Sequence, residues 1–304
     1  METKSVSTQT AADPQTLARI SKLELRARTV MEGLISGMHR SPHRGSSVEF
    51  AQHRDYVPGD EIRHIDCKVY SRSDRFHIKQ FEEETNLKAI LLLDISTSME
   101  YKGQTSALSK REYASVSAAA IASLLLRQRD SVGLALFSQN IQRYIPPSSA
   151  PSHLRILLDA MGMESSGTKS GIGETLHDIA ERMKRRGIAL LFSDLFTDID
   201  QLLRGMRHLK HKRHEVILFH VLDADEITFP FKNATRFEGL EDEEALTIEP
   251  NAIRKQYLEA FSEFVKQVEK GCREMGADYV QLRTDLPVDT TLSKYLASRS
   301  AQGK

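Results

Sequence analysis

The feature that most constrains this chain is a series of short apolar runs at residues 87–93, 132–137, 188–192 and 216–222, separated by segments of helical length. Run 87–93 stops abruptly at Asp94, as a central parallel strand buried on both faces would. Between the runs, residues 109–129 read as a long helix carrying Ala118, Ala119, Ala120, Leu124, Leu125 and Leu126, and helices are expected near 151–161 and 172–185. Residues 141–145 are expected to pair with 132–137 across a Ser-Gln-Asn turn. Strands alternating with helices demand right-handed crossovers, so the expected fold is α/β: a doubly wound, mostly parallel sheet flanked by helices.

The flanks are less regular. Residues 1–12 are small and polar and read as a disordered tail. Asp13-Pro14 then opens a helix with Leu17, Ile20, Leu23, Val30 and Leu34 at helical spacing, ending near Gly37. Residues 40–50 read as a loop, Asp60 as the cap of a short helix through Ile65, and 75–81 as a strand. Beyond Asp223, strand-like pieces lie within 227–248, an amphipathic helix covers 251–275, a strand at 277–283 is expected at the sheet edge, and a helix covers 289–298. The expected organisation is a tail at 1–12, an N-terminal segment at 13–85 packed on the main domain, and the main domain with its C-terminal extension at 86–304.

Bulk properties mainly exclude. Lys plus Arg and Asp plus Glu both number 42, so no long-range field favours nucleic acid or anionic lipid. The basic stretch 204–214 follows a helical segment and reads as its solvated end. Cys67 and Cys272 lie far apart without metal or CxxC spacing, as expected for reduced thiols. The longest apolar run, 118–126 broken by Ser123, is too short to span a bilayer, and the expected location is cytoplasmic. His39, His43, His53, His64 and His77 fit no metal motif and read as surface or loop residues.

Ligands of an open doubly wound sheet collect beyond the carboxyl ends of its strands. There the sequence offers Asp94-Ile95-Ser96-Thr97-Ser98 after the first apolar run, Ser193-Asp194 after the third, and Ser165-Ser166-Gly167-Thr168 before a helix. If these ends converge, Asp94, Ser96, Ser98, Thr168 and Asp194 surround one point. Oxygen donors without His or Cys suit Mg²⁺, with Mn²⁺ or Ca²⁺ as substitutes, and suit Zn²⁺ poorly. Taken singly, each hydroxyl is more often a cap or turn former, and the three-part pattern is what points to a metal. Two carboxylates only neutralise a divalent ion, so intrinsic affinity is expected to be weak, with an open position for a partner's carboxylate.

Together, DISTSM, SGT and LLFSD resemble the metal-ion-dependent adhesion site of von Willebrand factor A-type domains. The resemblance implies that Ser96, Ser98 and Thr168 are direct ligands, with Asp94 and Asp194 acting directly or through water. The stretches FAQHRDYVPGDEIRHID, FEGLEDEEALTIEP, AFSEFVKQVEKGCREMGADYVQLRTDLP and LSKYLASR resemble the bacterial domain of unknown function 58 family over about residues 45–299. That family resembles a companion of MoxR-type AAA ATPases, which implies a non-enzymatic, metal-dependent protein-binding module in protein assembly or maturation. Cys67 stands where the family usually has Trp, Ser71 where it has Ala, and Lys169 where an acidic residue is frequent. Tyr56, Asp60, Arg63, Asp66 and Arg72 match its most distinctive segment, where Arg63 and Arg72 are expected to pair with carboxylates. The competing expectation is a Mg²⁺-dependent phosphohydrolase of haloacid dehalogenase type, with Asp94 as nucleophile and Asp194 and Asp198 as the later acidic pair. Its general acid would fall on Ser96, whose hydroxyl protonates a leaving group poorly near neutral pH.

Overall fold

The computed structural model describes residues 21–31, 52–55, 76–80, 87–163, 170–232, 235–237 and 246–301. By its internal contacts the chain divides into two units, one of residues 1–38 with 87–304 and one of residues 39–86.

In the larger unit, helix α1 (21–31) buries Leu23, Ala27 and Met31. The smaller unit shows one antiparallel pair, β1 (Gln52–Asp55) with β2 (His77–Gln80). Strand β2 lies within the expected 75–81. Strand β1 had no apolar alternation to reveal it: Gln-His-Arg-Asp is polar throughout. His53 and His77 therefore sit in strands and not in loops. The expected helix at 60–65, the tail, the loop at 40–50 and the expected pairing of Arg63 and Arg72 with carboxylates lie outside the described residues.

The main sheet has six strands in the order β10-β7-β6-β3-β4-β5. These are β3 (Lys88–Asp94), β4 (Ser131–Phe137), β5 (Ile141–Ser148), β6 (Ile188–Ser193), β7 (Glu215–Leu222) and β10 (Asp278–Arg283). All neighbours are parallel except β5, which pairs antiparallel with β4 at one edge. The helices are α2 (Lys110–Arg127), α3 (His153–Met161), α4 (Ile172–Arg182), α5 (Ile199–His211), α6 (Ala224–Thr228), α7 (Pro250–Glu274) and α8 (Val288–Ala301). A small pair, β8 (Thr235–Phe237) with β9 (Leu246–Ile248), precedes α7.

Strand β3 shows why its sequence is a continuous apolar run. Ala89, Leu91 and Leu93 join the core containing α2, α3 and α8, while Ile90 and Leu92 join the core containing α4, α5 and α7. Period-two geometry sends alternate side chains into two cores, so neither set can be polar. Helix α2 begins in a capping box: the Ser109 hydroxyl accepts from the Glu112 amide and the Glu112 carboxylate accepts from the Ser109 amide.

A polar anchor fixes the loop that follows the DxSxS segment. At the carboxyl end of β7, Asp223 Oδ2 accepts from Ser106 Oγ at 2.7 Å, Thr284 Oγ1 at 2.7 Å and the Gly103 amide at 3.1 Å, while Oδ1 accepts from the Asp225 amide at 3.0 Å. Gly103 is required there, because a Cβ would stand 2.1 Å from Asp223 Oδ1. Burial pushes the Asp223 carboxyl upward, but these donors outweigh it and hold it below the usual carboxylate range. Asp223 and Glu226 form the capping box of α6, a one-turn helix too short for periodicity to announce. Asp223→Ala strands several buried donors at once and should cost about 2 to 4 kcal/mol, measured by urea unfolding.

Candidate metal centre

The carboxyl ends of β3 and β6 lie side by side, since these strands pair from Ala89 with Ile188 to Leu93 with Phe192. Asp94, Ser96, Ser98 and Asp194 are buried at this junction. The amide of Ile95 continues the ladder to the Phe137 carbonyl at 2.7 Å, and the chain then turns through a 3-10 turn at Thr97–Glu100. That turn brings Ser96 Oγ and Ser98 Oγ to 3.1 Å of one another. Asp94 Oδ1 accepts from the Ser96 amide at 2.9 Å, and Oδ2 accepts from Ser193 Oγ at 2.7 Å and Ser170 Oγ at 2.8 Å. Four of the five residues predicted from sequence therefore gather at one place. Thr168, with its neighbour Lys169, lies outside the described residues.

Three partners escaped the sequence reading. Ser170 reaches Asp94 because Gly171 donates its amide to the Ser138 carbonyl at 2.7 Å, in a space where a Cβ would stand 2.0 Å from the Gln139 carbonyl oxygen. His220 on β7 has its Nε2 3.2 Å from the Asp194 carbonyl, which can only accept. Nε2 therefore carries the proton, and Nδ1 accepts from the Tyr279 hydroxyl at 2.8 Å. Burial holds this imidazole neutral, with its pKa lowered to about 4.

The third and most consequential is Lys110. Its ammonium lies 2.7 Å from Asp194 Oδ2 and 2.7 Å from Glu226 Oε1, with a side chain only 2% exposed. Burial pulls its pKa down, but the two carboxylates outweigh burial and hold it above the ordinary lysine range. A signal existed in the sequence: a cation in the first turn of a helix opposes the dipole there unless an anion compensates it.

The carboxylates respond in opposite directions. Burial, then the charge of Asp194, pushes Asp94 up to about 6. Asp194 is also driven upward by burial, but the Lys110 ammonium and hydrogen bonds from Lys110, Ser98 and the Phe196 amide bring it below the usual range. Glu226, raised by burial, also accepts at Oε2 from the Asp223 amide at 2.8 Å, linking the centre to the α6 cap. After Asp194, Leu195 adopts φ 60° though it is not glycine, a strained turn of a kind found at functional sites.

These residues fit a hard divalent cation. Asp194 and Glu226 share the Lys110 ammonium while Asp94 is held by hydroxyls and an amide, so three carboxylates stand against one ammonium, an excess of two negative charges when all are ionised. The Ser96 and Ser98 hydroxyls, hydrogen-bonded to one another at 3.1 Å, are close enough for one cation to contact both. Ser96 and Ser98 would hold the ion directly, with Asp94 and Asp194 behind them. Among the described residues no group of three or more His, Cys, Asp and Glu is arranged to hold a metal, so a cation at this place would need the hydroxyls as ligands. Asp198, expected in the phosphohydrolase reading to act with Asp194, instead caps α5, its Oδ1 accepting from the Gln201 amide at 3.1 Å.

Residues 52–266 match the family described as "Protein of unknown function DUF58". The chain belongs to the DUF58 family. It is similar to the uncharacterized protein Rv1480 of Mycobacterium tuberculosis and to Mb1516 of Mycobacterium bovis, each 26% identical over 94% of this chain and 90% of the relative. Similar solved structures include an aerotolerance-related membrane protein from Bacteroides fragilis, with a TM-score of 0.46, 15% identity and coverage of 70% of this chain and 97% of that one. BatB from Bacteroides thetaiotaomicron gives a TM-score of 0.44 at 16% identity, covering 71% of this chain and 99% of that one. The SpRpn10 VWA domain gives 0.41 at 12%, covering 68% and 94%. In this DUF58 protein, no helix among the described residues is long and apolar enough to cross a membrane.

Lys110→Met leaves Asp194 buried without its counter-ion and should cost about 3 to 5 kcal/mol in chelator by chemical denaturation; millimolar Mg²⁺ should restore more stability to the variant than to the parent. His220 gives a pH signature. Because its folded pKa is lowered from 6.5 to about 4, its contribution is fully present above pH 6.5 and is lost as pH falls toward 4. The stability difference between the parent and His220→Gln should therefore shrink across that window, as followed by urea midpoints at successive pH values.

Proposed function

We propose that this DUF58 chain is a non-enzymatic protein-binding module of the von Willebrand factor A type, which grips a partner's carboxylate through a divalent cation. Mg²⁺ is the preferred ion, Mn²⁺ and Ca²⁺ its substitutes, and Asp94, Ser96, Ser98, Thr168 and Asp194 the ligand set. The observation that carries this reading is the excess of buried carboxylate over ammonium beside two hydroxyls spaced as neighbouring ligands.

When bound, the cation supplies an electropositive position for an incoming carboxylate. The chain supplies the geometry. Ser96 and Ser98 offer neutral oxygens that leave the ion's charge unspent, the hydrogen bonds on Asp94 keep its carboxylate aimed, and Lys110 neutralises part of Asp194. Weak binding by the protein alone and reinforcement by a partner follow from this charge balance. Phe196, two residues from Asp194 and 60% exposed, is an aromatic of the kind that anchors protein interfaces.

The family resemblance points to a MoxR-type AAA ATPase as the working companion, in assembly or maturation of other proteins in the cytoplasm. The phosphohydrolase alternative draws no support from the site: Ser96 occupies the general-acid position, and Asp198 is engaged as a helix cap.

Titration of Mg²⁺ into the protein by calorimetry should show one weak site, lost in the Ser96→Ala, Ser98→Ala double variant. The companion ATPase should co-elute more strongly with Mg²⁺ than with chelator, and Phe196→Ala should weaken that association without changing Mg²⁺ affinity. Equal association with and without metal overturns the reading, as does Mg²⁺-dependent phosphatase turnover abolished by Asp94→Asn.

A further inference from the structure

Beside the candidate centre lies a cavity of about 580 Å³ whose described lining mixes cations with apolar groups. Lys22 and Arg26, one turn apart on α1, face Lys102 from the loop after the 3-10 turn and Arg111 from the first turn of α2. Arg111 is paired with Glu100 and also donates to the Met163 carbonyl. Glu112, the other acid in the lining, is used by the α2 capping box. Lys22, Arg26 and Lys102 have no carboxylate partner among the described residues. The apolar part of the wall is Leu23, Val116 and Met161, all buried, with Met163 45% exposed at the rim.

The cavity and the centre share two elements. The turn Thr97–Glu100 places Ser98 at the centre and Glu100 in the cavity, and in the first turn of α2 Lys110 binds Asp194 while its neighbours Ser109 and Arg111 line the cavity. A chain segment bound at one is therefore adjacent to the other. The α2 amino terminus adds its positive dipole end to the same side.

We propose that this cavity is the docking groove for an acidic segment of the protein partner, with carboxylates on Lys22, Arg26 and Lys102 and an apolar side chain such as leucine against the exposed Met163. The inference deepens the proposed function by giving the partner's chemistry around the carboxylate that reaches the metal. A net positive wall selects an acidic segment, and a cavity of about 580 Å³ with cations on three separate elements and the exposed Met163 at its rim suits a chain segment better than one small anion. Screening follows as well: the cations are at the surface, so affinity must fall with ionic strength.

Fluorescence anisotropy with a labelled peptide of alternating Glu and Leu tests this on the full chain. The peptide should bind in chelator and more tightly in Mg²⁺, while its Gln–Leu counterpart, inorganic phosphate and phosphatidylglycerol vesicles should compete weakly. Lys22→Glu with Lys102→Glu, both at exposed positions, should weaken binding at least about tenfold with or without Mg²⁺, with the circular dichroism melt unchanged. Ser96→Ala with Ser98→Ala should remove only the increment that Mg²⁺ adds, so loss of the metal reading and loss of the groove are separately visible. Equal binding by the parent and the charge-reversed variant overturns the proposal. So does equal competition by the Gln–Leu peptide, displacement by phosphate, which would make the cavity a small-anion site, or displacement by vesicles, which would make it a lipid surface.

Discussion

The structure turns on one buried ammonium. Lys110 projects from the first turn of α2 to bind Asp194 at the end of β6 and Glu226 on α6. Removing these charges from water costs several kcal/mol per ion, and only short, paired contacts offset it. The same contacts tie the helix after β3 to the end of β6 and to the helix after β7. Through Glu226 the network reaches the Asp223 amide, and through the Asp223 carboxylate it reaches the loop at Gly103 and Ser106 and the strand end at Thr284.

That arrangement explains how acidic groups can remain buried without a large number of ligands. Asp94 is satisfied by Ser96, Ser170 and Ser193, and Asp194 by Lys110, yet negative charge remains in excess. The cluster's hydrogen bonds run through hydroxyls and one lysine, and in the proposed function its excess negative charge is what favours a divalent ion. In the proposed function, modest affinity is useful, because metal and partner can each complete what the other lacks.

Much of this was legible in the sequence because it rests on local, periodic signals. The continuous apolar runs gave the parallel strands, the Ser-Gln-Asn turn gave the antiparallel β4–β5 edge, and residues 277–283 joined the sheet beside β7 as expected. DxSxS and Ser-Asp lie at strand ends, where a doubly wound fold brings them together. What escaped was either polar throughout, as in β1, or too short, as in α6, or dependent on long-range pairing. Lys110 and Glu226 are 116 residues apart, and nothing local couples them. Ser170 reaches Asp94 only because Gly171 closes on the Ser138 carbonyl.

Anomalous diffraction from crystals soaked in Mn²⁺ tests the central claim most directly. The account predicts a single strong peak within about 2.3 Å of both Ser96 Oγ and Ser98 Oγ, with Lys110 still bound to Asp194. A peak elsewhere, or none at millimolar Mn²⁺ with the Asp94 cluster unchanged, would contradict it.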